Sequence, residues 1–154
     1  MFDKILVPVD GSATSRRGVD QAIAMAKLTG GSIRLVHVVD EPLAGLGSEA
    51  ALVSGKDIFG AVRDAGERVL ADARASVKAA GIAVDDVLFE PSGVRLSDRM
   101  AEAAAAWGAS LIVIGTHGRR GLRRLMLGSD AEQILRVSPV PVLLIRSETP
   151  ASVA

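Results

Sequence analysis

The sequence predicts an α/β protein with an open parallel sheet and helices on both faces, and three observations carry that expectation. The hydrophobic period switches repeatedly between short continuous apolar runs, which suit buried strands, and longer stretches with helical spacing. The first two helical stretches stop on glycine, at Gly30-Gly31 and at Gly81, where a helix ends in the left-handed region. Five such runs alternate with four helical stretches, and successive strands joined through a helix run parallel by right-handed crossovers.

Each element has its own justification. Ile5-Leu-Val-Pro-Val9 reads as the first strand, and Ser12 or Thr14 can cap a helix in which Val19, Ala22, Ile23 and Ala26 share one face. Residues 33–39 are β-rich and apolar enough for a central strand. Phe59, Val62, Gly66, Val69, Ala73 and Val77 mark the inner stripe of a long second helix, and residues 84–89 make a third strand. Leu96, Met100, Ala103 or Ala104, and Trp107 point inward from a third helix, ahead of a fourth strand at residues 111–114. A short fourth helix carrying Ala131, Ile134 and Leu135 leads to a fifth strand at residues 140–145. This reading leaves the order of the strands in the sheet open.

Composition narrows the class. A chain of 154 residues suits one domain, expected over residues 1–146, with residues 147–154 expected as a disordered tail. Eighteen basic residues balance eighteen acidic ones, so the overall field favours neither nucleic acid nor an anionic membrane surface. The absence of cysteine excludes disulfides, thiol catalysis and thiolate metal sites, and the two histidines, His37 and His117, are far apart in sequence. The apolar run at residues 5–9 falls short of a signal-peptide core and no stretch approaches a membrane span, which places the protein in the cytoplasm as an expectation.

The most informative motif is Gly115-Thr-His-Gly118, followed after nine intervening residues by Gly128-Ser129. It lies between an apolar strand and a helix, where glycines bring peptide N–H groups close to a ligand and the helix start offers unpaired donors with the positive end of its dipole. A phosphate is the natural occupant. Arg119, Arg120, Arg123 and Arg124 in the same loop either add positive charge around it or are simply solvated. Neither a P-loop triplet nor a three-glycine dinucleotide fingerprint occurs. Ser129-Asp-Ala-Glu132 has the form of a capping box, so Ser129 has two readings, a helix cap and a phosphate ligand. His117 has no serine or carboxylate at relay spacing, and His37 reads as a packed, hydrogen-bonded histidine at the edge of the core.

The spacing G-x2-G-x9-G-S resembles the nucleotide loop of the universal stress protein family, in its ATP-binding subgroup. The likeness begins at Lys4-Ile-Leu-Val-Pro-Val-Asp-Gly-Ser12, continues through Leu35-Val-His-Val-Val39 and closes with Ser138-Pro-Val-Pro-Val-Leu-Leu-Ile-Arg146. The resemblance implies a Rossmann-like fold of the adenine nucleotide alpha hydrolase type, with strand order 3-2-1-4-5 and a ligand crevice between strands 1 and 4. It implies that Pro8, Val9 and Asp10 stand beside the glycine loop, with Val9 and Val38 flanking an adenine and strand-end backbone groups reading its polar edge. Ile114 would border the base or sugar, Gly115 and Gly118 would present amides to the phosphates, and Gly128 with Ser129 would hold their distal end. Asp10 would meet the ribose or a phosphate-bound Mg²⁺, or would serve only as a turn aspartate.

Two departures from the family pattern stand out. Asp130 follows Ser129 directly, where its carboxylate either repels a terminal phosphate or helps to hold Mg²⁺. Strand 3 is followed by Glu90-Pro-Ser-Gly93 rather than an immediate glycine turn. Residues 40–55, rich in Pro and Gly, form either a lid or a plain excursion, within which residues 49–53 can make a helical turn. Strand 5 would be an exposed apolar edge, and pairing of two copies through residues 140–146 would cover it, in line with the family's habit.

These readings converge on an ATP-binding stress or regulatory homodimer that binds ATP or ADP, with Mg²⁺ carried on the phosphates, and whose nucleotide occupancy alters its stability or its contacts with an unidentified protein partner. It is read as a binder rather than an enzyme, because only Asp10 and Asp130 are available to assist phosphoryl transfer. The alternative is a dimeric interaction module of the same family that binds no nucleotide.

Overall fold

The computed structural model describes residues 1–39, 48–116 and 127–146, with side chains from residue 58 onward in the second segment. Along the chain run β1 (Lys4–Pro8), α1 (Ala13–Thr29), β2 (Ser32–Val38), α2 (Ser48–Ala79), β3 (Val84–Phe89), α3 (Leu96–Trp107), β4 (Leu111–Gly115), α4 (Ser129–Val137) and β5 (Val142–Ile145). The five strands form one sheet in the order β3-β2-β1-β4-β5, with every neighbouring pair parallel. That is the predicted architecture. The first and fifth strands are shifted or shortened relative to the sequence reading, which placed them at residues 5–9 and 140–145.

Alternation along the strands divides the core between two faces. Ile5, Val7, Val9, Ile33, Leu35, Leu111 and Val113 point to one side, where Val19, Ala22 and Ala26 of α1 and Leu70 and Val77 of α2 cover them. Leu6, Val36, Ile112 and Ile114 point to the other, against Met100 and Ala104 of α3 and Ala131 and Ile134 of α4. Ala104, rather than Ala103, takes the fully buried position. Burial on both faces explains why the central strands are apolar throughout.

The helix boundaries follow from local chemistry. Ser12 is the cap of α1, its Oγ accepting from the Ser15 N–H at 3.1 Å, while its own N–H donates to Oδ1 of Asp10 at 2.9 Å. Gly30 ends α1 at φ 67° and its N–H returns to the Ala26 carbonyl. Thr14, the other candidate cap, is instead buried and packs against β4.

Three expectations about helices need correction. α2 begins at Ser48, so the second half of the supposed loop 40–55 is helical; residues 40–47 lie outside the described part, as does the tail 147–154. Phe59 is 40% exposed rather than inward. Gly66 meets His37 near the end of β2, and Phe59 stands seven residues earlier, about 10 Å further along the helix axis at 1.5 Å per residue, where the sheet no longer covers it. Leu135 is 41% exposed, because Ala131 and Ile134 already fill the inward stripe of α4 and the next position turns roughly 100° away.

Gly115 sets how closely α1 lies on β4. A Cβ there would fall 2.6 Å from Cγ2 of Thr14 and 3.2 Å from its Cβ. Gly115→Ala is therefore expected to destabilise the fold by about 1–3 kcal/mol through overpacking, and Thr14→Ser in the same chain to recover part of that loss by removing Cγ2. Gly60, inside α2 where an added Cβ would meet nothing within 4 Å, should behave oppositely, with Gly60→Ala gaining about 0.4–1 kcal/mol. Urea unfolding of the three variants, Gly115→Ala, its double with Thr14→Ser, and Gly60→Ala, checks both signs.

Candidate functional site

The strand order reverses at β1, whose neighbours are β2 on one side and β4 on the other. Connections from these strands leave the sheet in opposite directions, so their carboxyl ends border a crevice, the place where open α/β sheets bind ligands. The pairing itself weakens there. β1 registers with β2 at five positions, from Lys4↔Ser32 to Pro8↔Val36, but with β4 only at Ile5↔Leu111 and Leu6↔Ile112. Pro8 has no N–H to extend a ladder.

The predicted site residues reach this edge by different routes. Pro8 ends β1, and Asp10 follows in the turn to α1, half-buried, with Oδ1 accepting from the Ser12 N–H and its own N–H donating to Oγ of Ser15 at 3.2 Å. The turn role is thus real for Asp10. Val38 ends β2 half-buried on the α3/α4 face, whereas Val9 is 4% exposed on the α1/α2 face, so the two side chains lie on opposite faces of the sheet. The backbone of Val9 is also committed, its N–H to the Val36 carbonyl at 2.8 Å and its carbonyl to Nδ1 of His37 at 2.7 Å. Both backbone groups of Val9 thus already serve β2.

Ile114 and Gly115 end β4, Ile114 being 7% exposed in the core between the sheet, α3 and α4. The requirement for glycine at position 115 comes from Thr14 packing against it. Across the loop, the Gly128 N–H donates to the Thr116 carbonyl at 2.8 Å, which ties the two ends of residues 117–127 together. Gly118, His117 and the four loop arginines lie outside the described residues.

The start of α4 differs from the expected capping box. Gly128 is the cap residue, without a side chain to bond the first turn, and Ser129 is already the first helical residue. Glu132 is turned outward to Arg136, whose Nη2 donates to its Oε1 at 2.8 Å. The box fails because the chain enters the helix one residue earlier than the Ser-x-x-Glu pattern requires. Ser129 and Asp130 are consequently exposed on a helix start with no side-chain cap, where Asp130 and Glu132 complement the dipole.

The rim beyond β3, whose shape the sequence left open, is held by charge pairs. Arg63 Nη1 on α2 forms an ion pair with Glu90 at 2.8 Å, and Arg99 of α3 donates from Nη2 to Oγ of Ser92 at 2.7 Å while lying 5.3 Å from the Phe89 ring centre. The hydrogen bond to Glu67, reinforced by the charge of Glu90, raises the Arg63 guanidinium above its ordinary range. Gly93 takes φ 68° to close the turn.

Sequence reasoning identified His37 as a packed histidine, and the structure bears this out, but it missed the acceptor, the carbonyl of Val9. It also missed Thr14 as the partner of Gly115. Nothing in linear spacing relates either pair. Among the described residues no group of three or more His, Cys, Asp or Glu side chains is placed to hold a metal, and no helix is long and apolar enough to cross a membrane.

Comparison with known proteins supplies the relationship. The model of the universal stress protein family matches residues 1–146. The universal stress protein YxiE of Bacillus subtilis (strain 168) is 30% identical over 153 residues, covering 95% of this chain and all of that one. A crystal structure of a protein from the universal stress protein family of Burkholderia pseudomallei is 34% identical, with a TM-score of 0.71 over 95% of this chain and 97% of the other. A universal stress protein in complex with cAMP shares the fold at a TM-score of 0.68 and 22% identity, covering 95% of this chain and 98% of its own. Motif, sheet order and whole-length similarity agree, and this chain belongs to the universal stress protein family.

Proposed function

We propose that the protein is a nucleotide-responsive regulator that binds ATP or ADP in the crevice between β1 and β4, with Mg²⁺ held through the phosphates, and acts in stress survival as a cytoplasmic homodimer. One observation carries the reading. Segments distant in sequence, Pro8 to Asp10, Val38, Ile114 with Gly115, and Gly128 with Ser129 and Asp130, converge at the carboxyl edge where the strand order reverses. A family relative bound to cAMP supports an adenine nucleotide as the ligand class.

The residues present fit such a ligand. Val38, half-buried at the end of β2, offers apolar surface to a base or sugar, with the buried Ile114 in the same apolar cluster, in keeping with the general character of small-molecule pockets. The Asp10 carboxylate, one oxygen of which accepts from Ser12, stands at the same edge and has the chemistry to meet a ribose hydroxyl or a hydrated Mg²⁺. The start of α4 carries no side-chain cap, and its first-turn N–H groups and the Ser129 hydroxyl suit a phosphate. Gly118 belongs to the same cradle by the spacing of the motif. Asp130 either opposes the terminal phosphate or helps to orient Mg²⁺, and Asp130→Asn separates the two by raising or lowering affinity for ATP·Mg²⁺.

Binding, not turnover, is the activity we assign. Beyond Asp10 and Asp130, the described residues at the crevice offer no further carboxylate or histidine in place to orient water, so hydrolysis is expected to be slow. A second reading, an interaction module without nucleotide, is favoured by the structural roles that Asp10 and Gly115 already have in the α1 turn and in packing against Thr14. In either case β5 is an edge of the sheet, with Leu143 37%, Leu135 41% and Val137 45% exposed near it, and a second copy is the partner we assign to that edge.

Denaturing extraction of the purified protein should release an adenine nucleotide, and calorimetric titration with ATP and Mg²⁺ should saturate near one nucleotide per chain. Gly128→Val, which adds a branched side chain at the cap, should abolish that binding while the unfolding midpoint stays close to the original. Absence of both extracted and titrated nucleotide selects the interaction module instead. Leu143→Lys should convert the dimer to a monomer by light scattering, and an unchanged mass would move the interface elsewhere.

A further inference from the structure

Two bonds hold the chain just beyond the last residue of β1. The Val9 N–H donates to the Val36 carbonyl at 2.8 Å, which simply prolongs the pairing with β2. The second bond is of a different kind, a side chain reaching across from the neighbouring strand: Nδ1 of His37 lies 2.7 Å from the Val9 carbonyl oxygen. Because a carbonyl only accepts, Nδ1 carries the hydrogen.

The imidazole is held from behind as well. His37 is 6% exposed, and a Cβ on Gly66 of α2 would fall 2.6 Å from its Cδ2 and 2.9 Å from its Nε2. Helix α2 comes this close only because residue 66 is glycine. A donor enclosed on one side by a helix and bonded on the other to a strand end is pre-organised, and it fixes what it bonds to. On the far side of β1 there is little to oppose it, since pairing with β4 is registered only as far as Leu6↔Ile112.

We propose that His37 is a positioning residue of the nucleotide crevice: it holds the end of β1 on β2, and so keeps the β1–β4 edge open at the point where the chain passes into Asp10. The proposal builds on the nucleotide reading above. Without the imidazole donor, the Val9 carbonyl, on a residue only 4% exposed, loses its partner, and the Val9 N–H bond to Val36 alone is left to hold the strand end against displacement toward the crevice. Asp10 is the next residue, and its carboxylate orientation depends on where Val9 leaves it.

The test is calorimetric titration with ATP and Mg²⁺, together with thermal unfolding, of the full chain and of His37→Leu, His37→Asn and Gly66→Ala. His37→Leu should weaken ATP binding by about tenfold, the affinity equivalent of roughly one lost hydrogen bond. His37→Asn should recover most of that loss, because its amide nitrogen stands in for Nδ1. Gly66→Ala should weaken binding as well, since it displaces the imidazole while removing no hydrogen-bonding group. Affinity that follows the unfolding midpoint across the variants, with no separate recovery in His37→Asn, overturns the positioning role, as does His37→Leu binding like the original chain. If His37→Leu does not fold, unchanged ATP affinity in Gly66→Ala overturns it instead. Failure of the unsubstituted protein to bind ATP overturns the nucleotide reading and this proposal together, whereas binding by it and equally by the variants overturns the role of His37 alone.

Discussion

β1 is buried on both faces and paired on both edges, and the position at which it ends governs the carboxyl side of the molecule. Its apolar residues alternate between two helix layers, so no register shift is tolerated without moving a hydrophobic set into the wrong core. Pro8 then withholds an N–H, Val9 turns its backbone to β2, and Asp10 opens the turn into α1. The crevice is what remains between this ending and that of β4. It is a consequence of topology before it is a property of any residue lining it.

Glycine does two distinct jobs around that edge, and both are matters of packing. At Gly115 the missing side chain lets the first turn of α1 settle on β4 through Thr14, and at Gly66 it lets α2 settle on His37. Neither residue has a positive φ, so conformational freedom is not the reason for either. At Gly115 this close approach brings the start of α1 beside the end of β4, and at Gly66 it seats the middle of α2 against the end of β2. The backbone donors and short polar side chains at the strand ends are the physical basis of the ligand binding proposed there.

The start of α4 illustrates how one residue of offset changes chemistry. A capping box would have consumed the Ser129 hydroxyl and the Glu132 carboxylate on the helix's own N–H groups. With Gly128 at the cap, Ser129 stands exposed at the first helical position and Glu132 pairs with Arg136 instead. The first turn keeps its donors. Pinning of Gly128 to the Thr116 carbonyl keeps the helix start near the end of β4, so that Gly128 and the Gly115-Thr116 strand end remain neighbours across the loop.

By itself the sequence determined the element types, their order and most of the two-sided core, because hydrophobic period is a local property imposed by the pitch of helices and the pleat of strands. The glycine motif and its likeness to a known nucleotide loop were legible in the same way, as fixed spacings along one segment. What only the tertiary structure decided are the relations between segments: that Val9 and Val38 face opposite sides of the sheet, that His37 bonds the Val9 carbonyl, that Thr14 explains Gly115, and that Phe59 lies beyond the sheet's cover. Helix α2 showed the same limit from another side, since its start at Ser48 lies in a stretch whose Gly and Pro content reads as loop. Each of these depends on where crossovers return the chain. Contacts between residues tens of positions apart leave no period or spacing in the linear order from which to read them.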